Sequence, residues 1–127
     1  MSYETNLTLA KQFHAALAER NWSGIRALLS DEAEWVLPGN NTISGPAKGA
    51  EAVVQRAQKI VGYQLKFELL HILSSPTDAA LHLHNTAERD GLKLDEYLAT
   101  ILRIKNGKIV FIETFLSDVP GMNAFFV

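Results

Sequence analysis

The sequence contains no cysteine, and its acidic and basic residues nearly balance. The absence of cysteine excludes disulfides, thiolate metal ligands and a cysteine nucleophile. Twelve Lys and Arg residues stand against fourteen Asp and Glu residues, for a net charge of −2. This balance gives no electrostatic reason to bind nucleic acid or an anionic membrane, so we expect neither partner.

Long apolar runs are also absent. No stretch approaches the roughly 20 apolar residues that span a bilayer. The first residues, MSYETNLTLAKQF, have neither the charged start nor the apolar core of a signal peptide, so we expect a cytoplasmic protein. With 127 residues, of which 47% are hydrophobic, the chain is long enough for one core, and we expect a single domain over residues 1–127.

The first half of the sequence has helical periodicity interrupted by one strand. Apolar residues three and four apart predict a helix over about residues 5–19, and Asn21 is typical of the cap of a second helix. Alternation over 32–37 predicts a strand, and the Gly-, Pro- and Asn-rich stretch 38–49 is interpreted as a loop. A third helix is predicted over 50–61.

From residue 63 onward the hydrophobic period changes to two, which is typical of strands. A slip in the alternation near Leu70 predicts a bulge. Strands predicted over 79–89, 92–105 and 109–116 are joined by Asp-Gly and Asn-Gly dipeptides that suit type I′ hairpin turns. The order of elements predicts an α+β fold, in which three helices pack on one face of a bent, mostly antiparallel sheet.

Polar side chains interrupt the apolar rows of two neighbouring strands. Asn85 interrupts the row that includes Leu83, and Glu96 and Thr100 interrupt the row of the next strand. A buried polar group without partners costs about 1–3 kcal/mol. These residues therefore indicate either a cavity between sheet and helices or ordinary hydrogen bonds within a core. Glu96 lies near the start of its strand and is also placed to reach solvent.

His82 and His84 lie on the opposite row, which we assign to the outer face of the sheet. Two imidazoles two residues apart can bind zinc, but no further ligand spacing accompanies them, so no metal site is predicted. We interpret them as part of a dimer interface that responds to pH near about 6.5. In the last predicted strand both rows are apolar, which predicts that helices cover one face of the sheet and a second subunit the other.

Three stretches resemble a known family: the helical start AKQFHAALAERNWSGIRALLSDEAEWVLPG, the Gly-x-x-Ala-Val onset of the third helix, and the ending LRIKNGKIVFIETFLSD. They are similar to the SnoaL-like and ketosteroid isomerase-like proteins of the nuclear transport factor 2-like superfamily, over nearly the whole chain. The resemblance implies a cone-shaped (cystatin-like) α+β roll, a deep pocket between sheet and helices, and a homodimer through the outer sheet face. The family includes cofactor-free isomerases, cyclases and dehydratases, and also non-catalytic binding domains.

The residues of ketosteroid isomerase that perform catalysis are missing from the matching positions. That enzyme uses an aspartate base and an oxyanion hole made of a tyrosine and a protonated aspartic acid. The resemblance places these groups at Leu37, Phe13 and Thr100 of this chain. Leucine cannot abstract a proton and phenylalanine cannot donate one, so we expect no isomerisation of a ketosteroid.

SnoaL-like cyclases carry an aspartate after the last strand, and the resemblance places Asp118 there, in the phrase ETFLSD, one residue closer than in the family pattern. A partly desolvated carboxylate at this place would serve as a general base. The alternative is a helix cap, which we favour because Asp118 precedes Val-Pro-Gly. The apolar tail 122–127 is expected to plug the cone or to cross to a partner.

Together these features predict a small protein that holds one mainly apolar organic molecule and needs neither a cofactor nor a metal. If it is an enzyme, the expected chemistry is isomerisation, cyclisation or dehydration next to a carbonyl, with Asp118 or Glu96 as the base. The alternative is a non-catalytic ligand-binding or dimerisation domain. The residues predicted to contact the ligand are Phe13, Trp35, Leu37, Leu83, Asn85, Leu98, Thr100 and Thr114.

Overall fold

The structure is a computed structural model that describes residues 3–127. The elements in chain order are α1 (Tyr3–Ala18), α2 (Trp22–Leu28), β1 (Leu29–Leu37), β2 (Gly45–Lys48), α3 (Ala50–Val61), β3 (Lys66–Ser74), β4 (Asp78–Arg89), β5 (Leu92–Lys105), β6 (Lys108–Leu116) and α4 (Val119–Phe125). These strands form a single sheet in the order β2-β1-β6-β5-β4-β3. None of the helices described is long and apolar enough to cross a membrane.

The first three helices form where the sequence predicts them. Helix α1 buries the predicted apolar stripe, including Leu9, Phe13 and Leu17. Helix α2 begins after Asn21, whose side-chain oxygen accepts a hydrogen bond from the Gly24 amide at 3.0 Å. This bond satisfies one of the N–H groups that the first turn of a helix leaves unpaired. Helix α3 spans the predicted residues.

The predicted antiparallel meander is confirmed by β3, β4, β5 and β6, which pair in chain order. Both hairpin turns have positive φ at their two central residues, +52° and +79° at Asp90 and Gly91, and +52° and +75° at Asn106 and Gly107. This is type I′ geometry. Strand β1 lies parallel to β6, which is possible because α3 and the meander separate the two strands in the chain.

The expectation that residues 38–49 form only a loop is wrong. Gly45–Lys48 form β2, an edge strand that pairs antiparallel with β1 and places Ala47 opposite Trp35. Ala47 is buried, whereas the other residues of the strand are exposed or half-buried. Proline is tolerated on an edge strand, so the Gly-Pro pair that indicates a turn in the sequence lies here in a short strand.

The expectation that the alternate rows of the last strand mark its two faces also needs correction. The pairing of β5 with β6 shifts between Arg103 and Ile104, and Val110 is left without a partner. A bulge of this kind adds one residue to a strand. Ile109 and Ile112, three residues apart, are therefore both fully buried on the inner face.

Residues Val119–Phe125 form a fourth helix, whereas the sequence predicted three. Asp118 is its N-cap, because the Asp118 Oδ1 atom accepts a hydrogen bond from the Gly121 amide at 3.0 Å. The cap interpretation is thus confirmed. Helix α4 packs on β5, and Phe125 and Phe126 at its end are buried. The tail therefore packs into the cone.

The helices cover one face of the sheet. Helix α1 packs against β3 and β4, α3 against β1 and β2, and α4 against β5. The bulge predicted near Leu70 is confirmed by a shift in the pairing of β3 between Leu69 and His71, and such a bulge bends the sheet around its covered face. The result is the expected conical α+β roll, with a closed inner face and an outer face that this chain leaves open.

The Arg89 guanidinium holds the tail in place. Its Nη2 atom donates to the backbone oxygen of Phe125 at 2.9 Å and to that of Val127 at 3.5 Å. The guanidinium also lies over the rings of Tyr63 and Phe125, 4.5 and 5.5 Å from their centroids. Cation–π contacts and charge-assisted hydrogen bonds each contribute on the order of 1 kcal/mol or more, so this one side chain stabilises the closed tail.

We expect Arg89→Met to loosen the tail without unfolding the protein. Loss of the charged donor should lower the free energy of local opening by about 1–2 kcal/mol, because the hydrogen bonds and the cation–π contacts disappear. Hydrogen exchange of the Phe126 amide, which bonds to the Met122 oxygen, should become about tenfold faster. Arg103→Met is the matched control, because Arg103 lies on the outer face and pairs with Asp78. Equal exchange rates in the two variants would contradict this role for Arg89.

Candidate functional site

A cavity lies between the inner face of the sheet and helices α1, α3 and α4. Its volume, measured as the space open to the centre of a water molecule, is about 40 Å³. This is room for about three water molecules. The lining residues are Phe13, Leu17, Trp35, Leu37, Ile43, Ile60, Leu65, Phe67, Leu83, Asn85, Glu96, Leu98, Thr100, Thr114, Leu116, Met122 and Phe126.

Asn85 and Glu96 face each other across β4 and β5. They are directly paired in the sheet register, which brings opposed Cβ atoms to about 4.5–5.5 Å. Only 4% of Asn85 and 3% of Glu96 is exposed. The Oδ1 atom of Asn85 and the Oε1 atom of Glu96 are buried and have no hydrogen-bond partner. Unpaired buried polar atoms are rare and costly, so this pair is the strongest sign of a site.

The environment of Glu96 favours its protonated form. Burial, and to a lesser extent the negative charge of Asp118, raises the pKa of Glu96 from 4.5 to about 7. The sequence left open that Glu96 reaches solvent, but α4 packs on β5 and the side chain is buried. A carboxyl group with a pKa near neutrality can both give and take a proton at physiological pH.

A second polar group lies further along the inner face. The indole Nε1–H of Trp35 donates to the Thr114 hydroxyl at 3.1 Å, and the hydroxyls of Thr114 and Thr100 are 3.0 Å apart. One hydroxyl proton forms the hydrogen bond between these two groups. The second hydroxyl proton can therefore be donated to a group inside the cavity. Thr100 lies four residues beyond Glu96 on the same strand face, a distance of roughly 13 Å.

Arg56 fixes the position of the Trp35 wall from outside the cavity. Its Nη1 atom donates to the Trp35 backbone oxygen at 2.7 Å and its Nη2 atom donates to the Ser44 oxygen at 3.3 Å. The guanidinium lies 6.0 Å from the centroid of the Trp35 ring. Strand β1 and the start of β2 are thus tied to α3, which keeps the aromatic wall in one orientation.

The structure brings most of the predicted site residues together. All eight residues predicted to contact the ligand line the cavity, and so does Glu96. Asp118 does not line it: its side chain is exposed and caps α4. The two predicted bases therefore occupy different places, and Asp118 acts on Glu96 only through its charge.

Several cavity residues were not predicted from the sequence. Phe67 had a detectable signal, because it alternates with polar residues and lies opposite Asn85 in the register. Met122 and Phe126 were recognised only as parts of an apolar tail. The other lining residues that the sequence did not single out are Leu17, Ile43, Ile60, Leu65 and Leu116.

The outer face of the sheet carries aromatic and imidazole side chains. One row across β3, β4, β5 and β6 consists of His71, His82, Ala99 and Phe115. The rings of His71 and His82 are stacked at 5.6 Å. Phe115 is 53% exposed, so this row forms an open apolar and aromatic surface.

His84 lies in the neighbouring row of the outer face and is held by two carboxylates. Its ring nitrogens lie 2.6 Å from an oxygen of Asp95 and 3.2 Å from an oxygen of Glu68. The hydrogen bond to Asp95, followed by that to Glu68, raises the pKa of His84. The imidazole also stacks on Tyr97 at 4.4 Å. Among residues 3–127, no group of His, Asp and Glu has the arrangement of a metal site.

We expect Glu96→Gln to change how stability depends on pH. The folded state keeps the Glu96 proton up to about pH 7, whereas the unfolded chain loses it near about pH 4.3. Stability of the wild type should therefore fall as the pH rises between these values, by about 1–3 kcal/mol relative to the variant. The measurement is the free energy of unfolding in urea from pH 4 to pH 8.

Glu88→Gln is the matched control for this experiment, because Glu88 is exposed on the same sheet. The difference in the free energy of unfolding between Glu88→Gln and the wild type should stay small and constant over the same pH range. A constant difference between wild type and Glu96→Gln would show that folding does not raise the pKa of Glu96.

Comparisons with known proteins agree with this fold. The chain is similar to Bal32a from a soil-derived mobile gene cassette, with 27% identity, a TM-score of 0.93 and 98% coverage of each chain. An NTF2-like protein from Burkholderia xenovorans is 17% identical with a TM-score of 0.87, covering 100% of this chain and 99% of that one. TerC, co-crystallized with polyporic acid, is 12% identical with a TM-score of 0.82, covering 96% and 98%. The last two similarities show the fold alone.

A search of curated proteins gave no match. The sequence profile of the SnoaL-like domain matches residues 10–112. That range begins in α1 and ends in β6, so it contains both strands of the Asn85–Glu96 pair and most of the cavity wall. The chain therefore belongs to the SnoaL-like domain family.

Proposed function

We propose that this protein binds one small, mainly apolar organic molecule in the cavity and transfers a proton to or from it without a cofactor, with Glu96 as the acid–base group. The observation that carries the proposal is the carboxyl group of Glu96, buried opposite Asn85 and without a partner for its Oε1 atom. Cores seldom leave such atoms unpaired unless a ligand or water satisfies them.

Glu96 suits the role of base better than Asp118. Glu96 lines the cavity and has a pKa near 7, which is close to the value at which proton transfer in both directions is efficient at neutral pH. Asp118 is exposed, and its Oδ1 atom is engaged by the Gly121 amide. Asn85 and the Thr100 hydroxyl would orient the polar groups of the ligand, while Trp35 and Phe67 supply aromatic walls.

The reaction would differ from that of ketosteroid isomerase. Leu37 and Phe13 line the cavity at the positions where the resemblance places the aspartate base and the tyrosine. These apolar side chains supply contact area only, so the acid–base group lies instead on β5, at Glu96. The co-crystallization of TerC with polyporic acid supports the idea that this fold can hold a small organic molecule.

The ligand must displace side chains at the tail in order to enter. The present space holds about three water molecules, whereas the wall includes Met122 and Phe126, both 1% exposed. Met is an adaptable side chain with several rotamers, and hydrogen bonds of Arg89, Thr42, Asn40 and Asn41 hold the short tail to the rest of the chain. We therefore expect entry past α4, with the rigid sheet unchanged.

A second candidate function, association through the outer sheet face into a homodimer, is favoured by the exposed aromatic surface. Tyr97 and Phe115 are 49% and 53% exposed, and they flank Ala99 in adjacent rows of the same face. Exposed aromatic residues on a sheet that is covered on its other side are typical of an interface. This candidate does not exclude the first, because it uses the opposite face of the same strands.

We expect neutral cyclic compounds of about six to ten heavy atoms to bind and to change the fluorescence of Trp35. In a Trp22→Phe background Trp35 is the sole remaining tryptophan. Phe126→Leu should raise the affinity for the larger compounds several-fold, because it enlarges the space next to the wall. Phe115→Leu is the matched control on the outer face and should have no effect. If no compound binds saturably to the Trp22→Phe protein, with or without Phe126→Leu, the proposal is contradicted.

The same ligands test the acid–base role. A bound ketone with an exchangeable proton next to its carbonyl should take up deuterium from solvent faster with the wild type than with Glu96→Gln, by about 100-fold or more. NMR of the ligand measures the exchange. Equal rates with both proteins at equal occupancy would leave only the non-catalytic, ligand-binding alternative.

We expect the protein to sediment with twice its monomer mass of 14.1 kDa, and Phe115→Glu to return it to the monomer, because the substitution places a charge in the apolar row. Gln58→Glu, on the exposed side of α3, is the control with the same change of charge. Sedimentation of the wild type as a monomer at high concentration would rule out the dimer.

A further inference from the structure

The cavity contains a single ionisable side chain. Of its lining residues, only Glu96 titrates, and none is Lys, Arg or His. Two arginines that hold parts of the cavity wall are engaged with backbone oxygens: Arg56 binds those of Trp35 and Ser44, and Arg89 binds that of Phe125. When Glu96 ionises, the cavity therefore holds a negative charge that no cation of the described chain balances.

The charge would arise next to a second acceptor. The Asn85 Oδ1 atom is buried and unpartnered, like the Glu96 Oε1 atom opposite it. Asp118 adds a further negative charge nearby, whose effect reaches Glu96. A buried charge is stable only when it is paired, and two adjacent acceptors are satisfied best by a group that has several N–H donors and a positive charge.

The same row of the sheet also presents an aromatic ring. Phe67, Asn85 and Glu96 are paired in register across β3, β4 and β5. Phe67 lines the cavity, and a cation near the face of an aromatic ring is attracted by its quadrupole. Two acceptor oxygens and a neighbouring ring are groups that attract an organic cation.

We propose that the ligand of this cavity is a small apolar amine, bound as its ammonium ion by Glu96 and Asn85 with its hydrocarbon part among the apolar walls. This rests on the ligand-binding part of the proposed function and names the class of its ligand. Anionic ligands are excluded, because a carboxylate or phosphate would meet Glu96 with no basic side chain in the lining to balance it. Neutral alcohols can bind, but they supply one donor and no charge.

The test compares ligands of equal shape and different charge. Propyl, butyl and benzyl compounds are used as amine, alcohol and carboxylate, and binding at pH 8 is measured by calorimetry and by Trp35 fluorescence in the Trp22→Phe background. The amine of each set should bind at least tenfold more tightly than the alcohol, and the carboxylate should bind least. Equal binding of amine and alcohol, or tighter binding of the carboxylate, overturns the inference.

The pH dependence gives a second, independent readout on the unaltered protein. The groups that face Glu96 are Asn85 on β4 and Asp118 at the start of α4, and the lining contributed by α1, β1, α3, β3 and β6 carries no titratable side chain. Below pH 7 Glu96 takes up a proton, so affinity for the amine should fall about tenfold per pH unit. Affinity for the alcohol should stay nearly constant.

Two variants test which side chains cause the preference for the amine. Glu96→Gln should bring the amine to the affinity of the alcohol and remove the pH dependence. Asp118→Asn keeps a capping oxygen for α4 and should lower amine affinity several-fold. An unchanged preference for the amine in Glu96→Gln overturns the inference.

The outcomes separate this inference from the proposed function. If alcohols and amines bind with equal affinity in the cavity, the proposed site for an apolar molecule is supported and the preference for amines is contradicted. If no compound binds to the wild type or to Phe126→Leu, both the proposed function and the preference for amines are contradicted. If amines bind with the same affinity to the wild type and to Glu96→Gln, they bind without using Glu96 and the inference is wrong.

Discussion

The buried carboxyl group of Glu96 is the constraint on which the inner face of this protein depends. Most of that face is apolar, and a carboxylate in such surroundings is unstable unless it is paired or protonated. The protein meets this condition in part, since the pKa of Glu96 rises to about 7, but the Oε1 atom keeps no hydrogen-bond partner. A replacement by leucine at this position would be expected to pack well in a sheet so apolar. The unfavourable residue is therefore best understood as a group retained for what it does to a ligand.

The short helix α4 creates this environment. Strand β5 begins at Leu92, so Glu96 lies near its open end, and without a cover its side chain would meet water. Helix α4 packs on β5 and places Met122 and Phe126 against the cavity. The cover is held by the guanidinium of Arg89, by the bonds of Thr42 to the Phe126 oxygen and by the bonds of the Asn40 amide and the Asn41 side chain to the Asn123 Oδ1 atom. Small elements held in this way open more readily than the core strands of a domain, which suits a part that must admit a ligand.

Local sequence patterns predicted most of the fold but only part of the site. The bounds of α3 and β5 and the two type I′ turns follow from helical periodicity, alternation and Asp-Gly or Asn-Gly pairs, which are local signals. Strand β2 and the bulge at Val110 were missed because each is set by a partner strand, and a Gly-Pro pair is a turn signal until β1 pairs with it. Asn85 and Thr100 were found because they interrupt apolar rows. The burial of Glu96 depends on α4, 23 residues or more away in the chain, and no local pattern contains that information.

The two faces of β5 make the candidate functions separable in physical terms. Successive side chains of a strand point to opposite faces, so Glu96 lies in the cavity while Tyr97 lies on the outer surface. A substitution at one position changes its own face and leaves the hydrogen bonds of the strand unchanged. The backbone is nevertheless shared: Tyr97 and Ser117 exchange hydrogen bonds next to Asp118, the residue that begins α4. A second subunit on the outer face would restrain this junction and hence the entrance to the cavity, which is a physical reason for one small fold to combine association with binding.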